Sequence, residues 1–289
     1  MGAPESTFRG LRTAWRAALV TRSNLLEGQC NNLTQFSENL IKATLKKSFS
    51  VEDVAAKFKG LLTGTNIRGA KLDALLAFVT GNINPLELWE AVLLELESLM
   101  LTVQRSPNAF VPPATPILTS AGFTATDLER ICRKLTAEGW IELAVTPLKD
   151  TPVFEYRVRE SEYIAFADAS AGQQATALLW VLLNQPGPPL IIDQPEDDLD
   201  NKVMPQTAEK LWAAKRRRQL LFSSHNANLV VNGDADLVIS CDYRVTGEQS
   251  GGTVKLQGAI DVQAVREEIA AVMEGGREAF KLRKEKYGF

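Results

Sequence analysis

The chain has 289 residues, 45% apolar and 23% charged, with a formal net charge of −3. That suits one large or two ordinary globular domains, each with a sizeable core. It excludes a global basic field that would by itself predict nucleic-acid binding. Cys30, Cys132 and Cys241 lie far apart in no metal-ligand spacing, which fits a reducing compartment better than a disulfide scaffold. Arg9, Arg12 and Arg16 occur near the start without the apolar stretch of a secretory signal, and the longest apolar run, around residues 175–183, is too short to span a bilayer. The expectation is a soluble, cytoplasmic protein with no membrane partner.

In chain order, Leu11, Trp15, Ala18, Leu19, Leu25 and Leu26 form a helical stripe that extends on spacing through Leu33, Phe36, Leu40, Ile41 and Leu45. Ser50 reads as the N-cap of a helix over 51–62, with Glu52 and Asp53 in the first turn where the helix dipole favours acids. Asn84-Pro85 opens another helix, whose Trp89, Val92, Leu93, Leu96 and Met100 share one wide apolar face, most simply core. Pro107, Pro112, Pro113 and Pro116 mark a loop over 105–116 and divide a helical segment (1–110) from the remainder (111–289). Thr126 and Glu129 have capping-box spacing for a helix running to about residue 137, and strands are expected over 140–145 and 153–158. Helix 171–184, strand 190–193, helix 204–215 and strand 219–224 then alternate. Strands over 237–241 and 253–256 and a helical end from Asp261 follow. Such alternation predicts an α/β fold with a mostly parallel sheet.

The segment that carries chemistry is Leu190-Ile-Ile-Asp193-Gln194-Pro195-Glu196-Asp197-Asp198-Leu199-Asp200-Asn201. An apolar strand ending in Asp is how P-loop nucleotidases place a carboxylate beside Mg²⁺ at the C-terminal edge of a parallel sheet. Upstream, Ala169-Ser170-Ala171-Gly172-Gln173 opens a helix, with Ser170 as N-cap and the following N–H groups free to meet an anion. Downstream, Leu220-Leu-Phe-Ser-Ser224 ends at His225, the only histidine.

Taken together, Ala-Ser-Ala-Gly-Gln, Asp-x-Pro-x-x-x-Leu-Asp and the strand-end histidine resemble the signature motif, Walker B, D-loop and switch histidine of ABC-type ATPases of the SMC, RecF and RecN kind. The resemblance implies the C-terminal lobe of such a head, with a P-loop NTPase sheet, preceded by the end of a coiled coil. It implies that Asp193 orders Mg²⁺ and that His225 contacts the γ-phosphate of ATP in its own head. Ser170, Gly172 and Gln173 would cap the ATP of a second head, and Asp200 would belong to the D-loop at the dimer interface. Ala169 and Ala171 depart from the usual Leu and Gly, a mild change because alanine still permits close approach. Gln194 stands where most relatives keep the glutamate that polarises the attacking water. A glutamine cannot take a proton, so hydrolysis is expected to be slow unless Glu196, or failing that Asp197 or Asp198, substitutes.

The sequence contains no GxxxxGK[ST], whose N–H groups and lysine hold the phosphates. The resemblance therefore implies a half-site completed by an N-terminal half or partner chain bearing that loop, and action on DNA in repair, genome maintenance or phage defence. Rival readings are a winged helix over 115–160, with Arg130, Arg133 and Lys134 on DNA, and a non-hydrolysing interaction protein. Lys215-Arg-Arg-Arg218 and the basic C-terminal helix could touch phosphate, although solvated helix ends explain both. The acidic run lacks the glycine and terminal glutamate of an EF-hand.

Overall fold

The computed structural model describes residues 3–105, 111–199, 203–243 and 252–288. The chain forms two compact units, one from 1–30 and 43–153, the other from 31–42 and 154–289. It passes between them within the first helix, α1 (Ala3–Phe36), and within strands β1 (Ile41–Ser50) and β2 (Lys149–Arg159). The expected break at the proline-rich loop is thus not where packing divides the chain, since the three helices after that loop belong with the first unit's core.

The first unit is helical, built from α2 (Glu52–Leu61), α3 (Gly69–Thr80), α4 (Pro85–Arg105), α5 (Pro116–Ser120), α6 (Ala125–Lys134) and α7 (Ala137–Ala144). Its core gathers Phe58, Leu75, Trp89, Leu93, Leu96, Leu118, Ile131, Trp140 and Leu143, all buried. The α4 face lies where the sequence put it, because its apolar residues recur at helical spacing and Pro85 supplies the start.

Four local expectations here are corrected. The stripe assigned to one long helix ends at Phe36; Glu38 and Asn39 take left-handed backbone (φ 53° and 63°), and β1 begins at Ile41. Ser50 closes that strand rather than capping α2, whose N-cap is Val51 without a side-chain bond. The capping box is Thr124 with Asp127, not Thr126 with Glu129, and α6 ends at Lys134. Residues expected as a strand from Trp140 to Val145 lie in or just after α7, which Thr136 caps by accepting from the Gly139 N–H. The strand pair expected at 140–145 and 153–158 is therefore not formed; β2 pairs antiparallel with β3 (Glu162–Ala165) instead, and Arg133 pairs with Glu129 at 2.7 Å.

Asp127 does more than cap. Burial alone would raise its pKa, but bonds from Lys71, the Thr124 N–H and the Thr124 hydroxyl outweigh that and lower it from 3.8 to about 2. A depressed carboxyl stabilises the fold fully above its unfolded value and loses that contribution as pH falls through the folded value. Asp127→Asn is therefore expected to cost about 2 kcal/mol at neutral pH. The gap should close as thermal melts are taken from pH 5 down toward pH 2; a gap independent of pH would refute the electrostatic account.

The second unit holds β3 (Glu162–Ala165), α8 (Ala171–Asn184), β4 (Leu190–Asp193), α9 (Met204–Lys215), β5 (Leu220–Ser223), α10 (Ala227–Asn232), β6 (Val238–Tyr243), β7 (Gly252–Gly258), α11 (Gln263–Met273) and α12 (Gly276–Tyr287). Helices α8 and α9 and strands β4 and β5 fall where the sequence predicts, with a one-residue trim at each end of β5. The mostly parallel sheet is not found among the described residues: β4–β5 pair in parallel, whereas β2–β3 and β6–β7 are antiparallel. Leu190, Ile192, Leu220 and Phe222 pack one face of the β4–β5 pair on a core of Leu179, Leu183, Met204, Leu211 and Leu229. The alternate positions, Ile191 (77% exposed) and Leu221 (47%), leave the other face uncovered. No described helix is long and apolar enough to cross a membrane. Among the described residues the three cysteines form no disulfide.

Candidate functional site

The site grows from the C-terminal ends of β4 and β5. Their parallel register pairs Leu190 with Leu220 and Asp193 with Ser223, so the carboxylate and the residues preceding His225 emerge at one sheet edge. Asp193 Oδ1 accepts a short hydrogen bond from the Ser223 hydroxyl. The strand then turns sharply. Gln194 takes left-handed backbone (φ 43°), unusual for a residue with a side chain, and donates its N–H to the Ser223 carbonyl (3.2 Å) and hydroxyl (3.3 Å).

That turn carries Glu196 underneath. Its side chain is 3% exposed, against 63% for the His225 side chain. One carboxylate oxygen, Oε1, accepts from the Ser224 hydroxyl (2.7 Å) and the His225 backbone N–H (2.6 Å) and lies 3.2 Å from His225 Nδ1. The other, Oε2, is buried without a hydrogen-bond partner among the described residues. His225 Nε2 lies 3.8 Å from the exposed Asp197. Ser224 Oγ also accepts from the Asn226 N–H (3.0 Å), and Asn226 caps α10 through the Asn228 N–H (2.9 Å). Beside this corner is an open cavity of about 210 Å³ lined by His225, Asn226, Ala227, Asn228, Met273 and Glu274.

At the start of α8 a second cluster forms. Ser170 Oγ accepts from the Gln173 N–H (3.3 Å), and the Gln173 side chain accepts from the Ser170 N–H (2.9 Å), a complete capping box. Gly172 lies in this first turn, and its carbonyl accepts from the Thr176 hydroxyl. Among the described residues, Ser170 and Gln173 share no hydrogen bond with the β4 turn.

The structure therefore brings Asp193, Gln194, Glu196 and His225 to one corner and leaves Ser170, Gly172 and Gln173 as a separate helix start. Asp200 lies outside the described residues. Sequence reasoning missed Ser223 and Ser224. Two hydroxyls immediately before a strand-end histidine were the available signal.

Lys215-Arg-Arg-Arg218 is occupied structurally. Lys215 pairs with Asp234 (2.9 Å), Arg216 stacks on Trp212, and Arg217 and Arg218 donate to carbonyls at the end of α8. These contacts account for the run without a phosphate. No described group of three acidic, histidine or cysteine side chains could hold a metal by itself. A lone strand-end carboxylate still fits Mg²⁺, which commonly takes one or two carboxylates with the rest of its shell from water and phosphate.

No protein-family profile and no characterised protein sequence matches the chain. A solved structure from work on ATP-driven dimerization and DNA-stimulated activation of SMC ATPases superposes with a TM-score of 0.33 at 17% identity, over 41% of this chain and 73% of its own. At that score the likeness carries no inference about fold or activity.

Proposed function

We propose that the chain is part of an ATP-binding and ATP-hydrolysing machine of the SMC-like ABC type, incomplete without a phosphate-cradling half. The observation that carries this reading is the corner itself: Asp193 and His225 follow the ends of adjacent parallel strands in register, at the sheet edge where nucleotidases place their metal carboxylate. The uncovered Ile191 and Leu221 face is what a sheet looks like when further layers are to be added.

In this reading Asp193 holds Mg²⁺ through its exposed carboxylate, kept in place by Ser223. The metal, when bound, neutralises charge on the phosphates during transfer. His225 presents its exposed ring to the terminal phosphate. Ser170 through its hydroxyl and Gly172 through its N–H, at the positive dipole end of the 14-residue α8, face the phosphate held by a second head. Gln194 orients water without taking its proton, which makes turnover slow. Opening and closing of two heads around ATP would act on DNA, in repair, genome maintenance or phage defence. A non-hydrolysing interaction protein is the second reading, favoured by Gln194 alone.

The test is Mg²⁺-ATP-dependent pairing of the completed enzyme, followed by light scattering. Wild type is expected to double in mass with ATP. Ser170→Arg, which fills the anion site at α8, is expected to stay single at the same ATP concentration. Equal pairing by both would remove the α8 site from the account.

A further inference from the structure

The sequence makes Glu196 the nearest substitute for the missing base, and that role requires an oxygen open to water. The geometry denies it one. Oε1 is filled by the Ser224 hydroxyl and the His225 N–H, Oε2 is buried, and the whole side chain is 3% exposed. A carboxylate in such a place acts on its neighbours rather than on a bulk-accessible water.

We propose that Glu196 is a positioning residue that ties the β4 turn to the end of β5 and fixes the His225 ring with its hydrogen on Nδ1. The argument is electrostatic. Glu196 Oε1 lies 3.2 Å from Nδ1, and at that distance an unprotonated ring nitrogen would set its negative partial charge against that of the carboxylate. Placing the hydrogen on Nδ1 removes that repulsion and leaves Nε2, on the exposed side, as the atom free to meet a ligand. The same oxygen grips the His225 backbone at 2.6 Å, so ring and main chain are held by one group. Asp197 lies 3.8 Å from Nε2, and Glu274, on the segment after α11, lines the same cavity as the ring. The significance for ATP rests on the proposed nucleotide site, but the tautomer does not.

His225 is the only histidine, so a chain labelled with ¹⁵N-histidine gives one imidazole to read. In alkaline buffer, with the ring neutral and no nucleotide present, wild type is expected to show Nδ1 protonated and Nε2 bare. Glu196→Gln should keep that pattern, because its carbonyl oxygen still accepts. Glu196→Leu should lose it and revert to the Nε2–H form that free histidine prefers. A wild-type ring with hydrogen mainly on Nε2 overturns the proposal, and needs no variant to fold. A ring unchanged in a folded Glu196→Leu chain overturns it too.

In the completed enzyme, Glu196→Gln should restore kcat to within about tenfold of wild type where Glu196→Leu loses it. Loss of a general base costs about 100-fold or more, so a Glu196→Gln loss of that size would make Glu196 the base instead. Should the completed enzyme lack ATPase activity altogether, the nucleotide reading falls while the tautomer result still decides the role of Glu196.

Discussion

Asp193→Asn is expected to abolish Mg²⁺-dependent ATP hydrolysis in the completed enzyme, with a loss in kcat above about 100-fold. The substitution is nearly isosteric. Asn still offers Oδ1 to the Ser223 hydroxyl, so the bond that fastens the strand end survives. Asp193 is exposed at the sheet edge, and the change leaves no cavity. What disappears is the negative charge that would hold a divalent cation, a difference between protein folds of equal stability. Thermal melting should therefore match wild type while turnover vanishes. Retained turnover at wild-type rate would place the metal elsewhere and sink the assignment of the strand-end carboxylate.

The second large effect belongs to the helical unit. Trp140 is 3% exposed, donates its indole N–H to the Leu93 carbonyl at 2.9 Å, and stacks near Phe8 with ring centroids 5.9 Å apart. The Arg12 guanidinium sits 5.0 Å from its ring centroid, itself paired with Glu90 at 2.6 Å. Trp140→Ala would open a cavity among Leu93, Leu143 and their neighbours, remove the indole hydrogen bond to α4 and remove a cation–π partner. The expected cost is about 3–5 kcal/mol, read as a lowered denaturant midpoint with an unchanged slope. A loss below about 1 kcal/mol would mean that the site collapses around the smaller residue.

The same tryptophan explains one misreading of the sequence. Trp140, Ile141, Leu143, Ala144 and Val145 form a short apolar run, and periodicity cannot separate a buried strand from a buried helix over so few residues. The deciding signal was upstream: Thr136 caps α7, and Gly139, Trp140, Leu143 and Ala144 are then buried at helical spacing. Residues 40–45 failed in the opposite sense. Ile41 and Ala43 are buried in alternation on β1, but Leu33, Phe36, Leu40 and Ile41 happen to extend a helical stripe across the Ser37–Asn39 turn. Thr126 and Glu129 satisfy the same capping pattern as Thr124 and Asp127, and only packing around Lys71 and Asp127 chooses between them.

The α8–β5 stretch was legible because each element there is short, strongly periodic and closed by a clear signal. Ser170 caps α8, Asp193 ends β4, and His225 follows β5. The sequence order of Gln194, Pro195 and Glu196 could not reveal that the left-handed turn at Gln194 folds Glu196 inward while Gln194 stays exposed. Burial of a carboxylate three residues past a strand end is a tertiary fact, fixed by donors from Ser224 and His225 that lie 28 and 29 residues away.

Calorimetric titration of Mg²⁺-ATP tests the central claim most directly, first into this chain alone and then into the chain joined to a phosphate-loop half. Binding heat in the second titration and none in the first is the predicted result, because under the proposed reading Asp193, His225 and the α8 start would supply metal and phosphate contacts but no cradle for the phosphates. Tight binding by the chain alone would contradict the half-site account.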